Sequence, residues 1–190
     1  MPSQHSLPPR LRQPFFIGVA GRMGSGKTSA AKYLSSRYGF QYARYSQVLQ
    51  DWLSAGNADR DRLQILGWDV MAGGRQAELN ARLIAGIDRS RSAAIDGVRH
   101  RLDFDSLSSS LGPLFSMIFL EASQHRRFER VRERFESFGD FQAADSHPVE
   151  SHIDGLQPLA RLTISTEHSL ERLYNQLDAW LATCGAEEQT

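Results

Sequence analysis

Gly21-Arg-Met-Gly-Ser-Gly-Lys-Thr28 has the spacing G-x-x-x-x-G-K-T, a pattern whose chemistry is phosphate binding. Glycine lacks a Cβ, so Gly21, Gly24 and Gly26 let the backbone curl and turn its N–H groups inward as an anion nest. The cradle spans Gly21, Met23, Gly24, Ser25, Gly26, Lys27, Thr28 and Ser29. Lys27 is long enough to reach the β- and γ-phosphates of a nucleotide, and Thr28 offers a hydroxyl to Mg²⁺. A helix beginning there directs its positive end at the same phosphates.

Two further groups have types and positions that fit this chemistry. Asp96 closes an apolar run and precedes Gly97, where a carboxylate can hold Mg²⁺ directly or through water. Three residues on, Arg99 can fork onto a phosphate of an acceptor. Farther along, Arg127, Arg130 and Arg134 follow i, i+3, i+7 spacing and fall on one face of an expected helix. An arginine closing over a transferring phosphoryl group stabilises the charge on its oxygens, and this segment is expected to act as a lid. Glu129, Glu133 and Glu136 can balance much of that charge, so a solvated, salt-bridged helix is the alternative.

The elements around these residues alternate in type. Phe15–Ala20 reads as a buried strand entering the glycine loop, and Lys27–Tyr38 as the helix leaving it, stopped by Gly39. Phe40–Ala43 is a candidate edge strand, followed by helices over Ser46–Ala55, Asp59–Leu66 and Arg75–Arg89, with Gly56-Asn57 as a break. Ala93–Ile95, Leu114–Leu120 and Leu162–Ser165 are further strands. Leu102–Leu111 and Ser123–Phe138 are further helices, Gly139–Pro148 a loop, and His147–Leu156 a small helix. Leu170, Leu173, Tyr174, Leu177, Trp180 and Leu181 form one apolar stripe on a closing helix. Five strands separated by helices predict an α/β three-layer sandwich on a parallel sheet. Ligands in such sheets sit beyond the carboxyl ends of the strands, which brings Gly21–Thr28, Asp96–Arg99 and the segment after Leu120 to one cleft.

Composition narrows the partners. The chain has 190 residues, with 22 Lys+Arg against 22 Asp+Glu, so net charge argues for neither nucleic acid nor an acidic membrane. Arginine greatly outnumbers lysine, which suits bidentate phosphate recognition. Cys184 is alone and can form no intrachain disulfide; with no membrane-length apolar run, a cytoplasmic location is expected. Residues Met1–Gln13 are expected to be a loose arm. His147 and His152, near Asp145 and Glu150, match no zinc spacing. Ala72-Gly-Gly-Arg-Gln76 reads as a turn before a helix, and the absence of Asn-Lys-x-Asp disfavours a guanine-specific switch.

Together these residues resemble the P-loop nucleoside-phosphate kinases: adenylate kinase, dephospho-CoA kinase and their small relatives. The resemblance spans about Phe15 to Trp180. It rests on the loop, on Asp96-Gly-Val-Arg99 with His100 and Asp103, on Ala122, and on Arg127, Arg130 and Arg134. A segment Ser46-Gln-Val-Leu with Arg62-Leu-Gln-x-Leu-Gly67, and Ser165–Leu173, where Ser165 stands in place of Asn and His168 in place of Gly, also carry it. The resemblance implies ATP as donor, Mg²⁺, and a nucleotide-like small-molecule acceptor. It implies one kinase-like domain over 14–184, with an acceptor-covering insert at 45–90, a lid at 123–148, Ser165 beside the adenine, and a tail at 185–190. Dephospho-CoA kinase, whose hydroxyl acceptor calls for a base such as Asp51, and a nucleotide-binding regulatory module are the alternatives.

Overall fold

The β-run Phe16–Ala20 (β1) is buried at every position, so it can sit only at the centre of a sheet covered on both faces. In the computed structural model, which describes residues 13–52 and 60–186, it does so. The chain runs β1, α1 (Lys27–Tyr38), β2 (Gln41–Arg44), α2 (Tyr45–Trp52), α3 (Arg60–Ala72), α4 (Gln76–Ala85), β3 (Ala93–Val98), α5 (Arg101–Leu111) and β4 (Phe115–Glu121). It continues through α6 (Gln124–Val131), α7 (Phe138–Asp145), α8 (Pro148–Asp154), β5 (Leu162–Ser165) and α9 (Leu170–Ala186). The five strands are parallel in the order β2-β3-β1-β4-β5. The expected α/β three-layer sandwich is therefore present.

Strand alternation divides the core in two. Phe16, Ile95, Met117 and Phe119 face one layer with Leu49, Leu83 and Leu107 of the helices. Ile17, Val19, Ile118 and Leu120 face the other, against Ala30 and Leu34 of α1 and Leu173, Leu177 and Leu181 of α9. Of the expected stripe on α9, Leu173, Leu177 and Leu181 are core, with Tyr174 and Trp180 packed against it, while Leu170 is 51% exposed; each fully buried leucine contributes about 1.5–3 kcal/mol as an upper estimate.

Several expected boundaries move. The helix expected to end at Leu66 continues through Gly67 to Ala72, carrying Val70 into the core. The single helix expected over Ser123–Phe138 is broken. Val131 leaves helical geometry, Arg132–Arg134 form a 3₁₀ turn, and Phe135 is extended. The cause is aromatic. Phe135 packs edge-on against Phe141 at 5.4 Å, and Phe128 meets Phe138 at 5.1 Å and Phe141 at 5.5 Å, which a straight helix could not achieve. The expected loop after Gly139 is instead α7, capped by the Ser137 hydroxyl accepting from the Asp140 amide at 3.1 Å. Gly56-Asn57, nearly all of the expected arm and the end of the expected tail lie outside the described residues.

Candidate active site

Gly21 and Gly24 are required by close approach. Gly21 has φ 139°, and a Cβ there would run into the Leu120 carbonyl of β4. Gly24 has φ 79°, and a Cβ would lie 2.5 Å from the Arg127 carbonyl of α6. The loop is thus pinned between β4 and α6. Lys27 is only 9% exposed, and its Nζ donates to the Gly21 and Arg22 carbonyls at 2.6 and 2.8 Å. The ammonium is held across the loop rather than released to solvent. Ser25 is fully buried, and its Oγ has no partner among the described residues, which fits a cradle completed by phosphate oxygen.

Thr28 Oγ1 donates to Asp96 Oδ2 at 2.9 Å, and Tyr42 Oη donates to the same oxygen at 2.8 Å. Burial, with Asp96 next to it, pushes the Tyr42 phenol up, so it stays a donor. Thr28 spends its proton on Asp96 and keeps its lone pairs. Thr28 and Asp96 offer the hard oxygen donors that would hold Mg²⁺. The other ligands would be water and phosphate oxygens. Among the described residues no group of three or more His, Cys, Asp or Glu could hold a metal.

Arg99 is brought to the same cleft, but it is already engaged. Its Nη1 donates to Glu150 Oε1 at 2.7 Å, while Glu150 Oε2 accepts the Met23 amide of the loop at 2.8 Å. Glu150, 1% exposed, therefore ties α8 to both phosphate-binding elements. Asp103 Oδ2 accepts the Arg99 and His100 amides, each at 3.0 Å, and Gln76 Nε2 reaches its other oxygen at 2.6 Å. These bonds fix the backbone that carries Arg99. Arg22 forks onto Asp154 at 2.8 and 2.6 Å, a second tie between the loop and α8.

The three arginines expected to share one lid face do not. Arg127 is 5% exposed and makes a two-pronged ion pair with buried Asp145, while also donating to the Ala122 and Met23 carbonyls at 3.2 Å. It lies beneath the loop and does not line the cleft, so it is an anchor in this arrangement. Burial works against the Asp145 carboxylate, but hydrogen bonds from Arg127 and Gln124 outweigh it and hold the group below the ordinary carboxylate range. Arg130 and Arg134 do line the cleft. Arg130 donates to the Gly24 carbonyl at 3.3 Å, to Thr166 Oγ1 at 3.0 Å and to the Thr166 carbonyl. Burial and neighbouring Arg126 lower its basicity, a tension that an anion would relieve.

The cleft has a volume of about 770 Å³. Met23, Gly24, Ser25, Gly26, Lys27, Thr28 and Ser29 form its phosphate end, with Asp96, Gly97 and Arg99 alongside. Tyr45, Leu49, Leu63 and Leu79 from α2–α4 wall one flank; Phe135, His168 and Leu170 border the other. Ser165 is exposed at the end of β5 and is not part of the lining; its neighbour Thr166 is, held by a bond to the Ser25 carbonyl at 3.0 Å. Asp51 is exposed, bonds Gln47 at 2.9 Å, and stands outside the cleft. Among the described residues the carboxylates lining it are Asp96, Asp103 and Glu150. Glu150 was overlooked because nothing local in the sequence marks it; a guanidinium at Arg99 awaiting a counter-charge is the only hint.

A strand–glycine loop–helix on a parallel five-stranded sheet, facing a carboxylate on a neighbouring strand, is the architecture of the P-loop kinases. The family described as AAA domain (AAA_18) matches residues 17–146, well over half the chain, and the chain belongs to that family. Among solved structures, a gluconokinase from Sinorhizobium meliloti 1021 is 18% identical, with 93% of this chain and 96% of that one covered and a TM-score of 0.63. A shikimate kinase from Acinetobacter baumannii in complex with shikimate is 14% identical, with coverage of 94% and 96% and a TM-score of 0.58. A sugar kinase from Janibacter sp. HTCC2649 is 19% identical, with coverage of 91% and 97% and a TM-score of 0.57. At these identities the likeness is one of fold. No curated protein matches the chain. Among the described residues no helix is long and apolar enough to cross a membrane.

Proposed function

We propose that the chain is a Mg²⁺-dependent ATP phosphotransferase acting on a small, nucleotide-like acceptor. The observation that carries this reading is the meeting of Lys27, the Thr28–Asp96 oxygen pair and Arg99 on one cleft whose far flank is apolar. The loop amides and Lys27 bind the β- and γ-phosphates of ATP. Thr28 and Asp96 would hold Mg²⁺, which would supply charge neutralisation on the phosphates. Arg99 exchanges Glu150 for the acceptor. Arg130 and Arg134, which line the cleft, stabilise the spreading charge of the γ-phosphoryl group, while Arg127 positions the loop. Such a transfer is carried by alignment and electrostatics.

A hydroxyl-bearing acceptor is the second reading. It is favoured by the carboxylate of Glu150 lining the cleft, and by the acceptors named for the gluconokinase and shikimate kinase neighbours. Asp51 stands outside the cleft and lends this reading no support. The test is acceptor-dependent ADP formation across the common nucleoside monophosphates, dephospho-CoA, gluconate and shikimate. Turnover with one of them, abolished by Lys27→Ala, is expected. ADP formation no greater than that of Lys27→Ala with every acceptor would overturn the enzyme reading, and ATP binding without turnover would favour a regulatory module.

A further inference from the structure

α8 is a short helix, yet it ties together the phosphate loop, the β3–α5 junction and α3. Its pivot is Glu150, which is buried and lines the cleft. Glu150 Oε1 accepts from Arg99 Nη1 at 2.7 Å, and Oε2 accepts from the Met23 amide of the loop at 2.8 Å. One turn on, Asp154 receives both prongs of the Arg22 fork from the same loop. The His152 ring stands 5.9 Å from that of His100, the residue after Arg99. Just before the helix, the His147 ring meets Trp68 of α3 edge-on at 5.5 Å. One carboxylate thus answers two donors that serve different substrates, Met23 for the triphosphate and Arg99 for the acceptor. Glu150 is an anion where two further anions must arrive. Each of them pushes against its charge and competes for one of its bonds.

We propose that Glu150 is a positioning residue that couples the donor and acceptor sites, so that the two substrates bind with positive cooperativity. This deepens the phosphotransferase reading and rests on it. In the free protein Glu150 holds Arg99 and the loop to α8. Whichever substrate arrives first draws one of these groups away from Glu150 and bears the free-energy cost of loosening α8. The second meets a site already released and bears less of that cost. By linkage the gain in affinity is the same in either direction. Removing a nearby negative charge tightens each substrate separately; only a contact shared by both sites makes one affinity depend on the other. Asp154 and Arg22 set how firmly α8 is held, and so how large that dependence is.

The test is calorimetric titration of the full chain, wild type against Glu150→Gln, which keeps the shape and an acceptor for the Met23 amide but not the charge. A non-hydrolysable ATP analogue with Mg²⁺ is titrated alone and then with AMP, GMP, CMP, UMP, dTMP, gluconate or shikimate present. Each of those probes is titrated in turn with and without the analogue. For at least one probe, wild type should bind each ligand about 5–50-fold tighter in the presence of the other, by the same factor in both directions. In Glu150→Gln that factor should fall below about twofold, with each ligand alone bound more tightly than by wild type. Melting curves establish that the variant is folded. If it is not, Asp154→Asn carries the test: it removes one tie between α8 and the loop, leaves Glu150 in place, and should lower the factor by about twofold or more. A factor unchanged in the folded variant overturns the proposal. So does a wild type that binds the analogue but shows no mutual tightening with any probe; both results leave the phosphotransferase reading standing. A wild type that fails to bind the analogue refutes that reading instead.

Discussion

Replacing Arg127 separates an anchor from a lid. In Arg127→Met the stem volume is retained, while Asp145 loses both prongs of its ion pair. What remains is Gln124 Nε2 at 3.0 Å and the more distant Arg22 Nη1 at 3.3 Å. Both partners of the lost pair are nearly inaccessible to water, so the discount that applies to surface pairs does not apply. Breaking such a pair from one side costs up to about 3–5 kcal/mol, because a charge stays behind with only Arg22 left to offset it. For a domain of this size each kcal/mol lowers Tm by about 2–4 °C, so the expected fall is roughly 6–20 °C. Asp145→Asn combined with Arg127→Met removes the stranded charge and should recover part of the loss. The assay is thermal and urea unfolding of the three variants beside acceptor-dependent turnover at a temperature where all are folded. The account expects stability to fall first and turnover by less than about tenfold once folding is corrected for. Undiminished stability with turnover reduced by a hundredfold or more would show that Arg127 closes on the reacting phosphate, and the anchor reasoning would be wrong.

Gly24→Ala should destabilise by about 2–5 kcal/mol and weaken nucleotide binding, since it combines a positive φ with a Cβ pressed on the Arg127 carbonyl; urea unfolding at wild-type stability would contradict this. Thr28→Ala and Asp96→Asn should each raise the Mg²⁺ concentration needed for half-maximal turnover by about tenfold or more, with Tm changed far less; an unchanged Mg²⁺ dependence removes the oxygen pair from the metal role. Burial lowers the His100 imidazole below its ordinary value, opposed by Asp103 and reinforced by His152 and Arg99. The folded state thus binds fewer protons than the unfolded one. The stability His100 contributes is complete above about pH 6.5 and is lost as pH falls toward the depressed value. His100→Gln should flatten the stability profile below about pH 6.5, and an NMR titration of the ring gives the sign independently.

The sheet was legible because its signals are local. β1, β4 and β5 are short apolar or alternating runs bounded by glycine, proline or loop residues, and their positions shift by a residue at most. The glycine loop was legible because its backbone demands particular residue types. The arginine-rich segment was misread because helical periodicity counts side chains without asking what the aromatics do. Phe135 turns inward to reach Phe141, and that contact breaks the helix carrying the arginines. Glu150 was missed for a different reason. It matters through partners far away in sequence, Arg99 and Met23. Such relations exist only once the chain is folded. Ser165 is exposed at a strand end, where alternation hands the inward position to Thr166.

The central claim is that main-chain amides and Lys27 grip a triphosphate. Titration calorimetry of a non-hydrolysable ATP analogue with Mg²⁺ into wild type and Lys27→Ala tests it most directly. The account predicts one-to-one binding to wild type, weakened about 10–100-fold in the variant. Equal affinities in the two proteins, or no heat of binding in either, would contradict it.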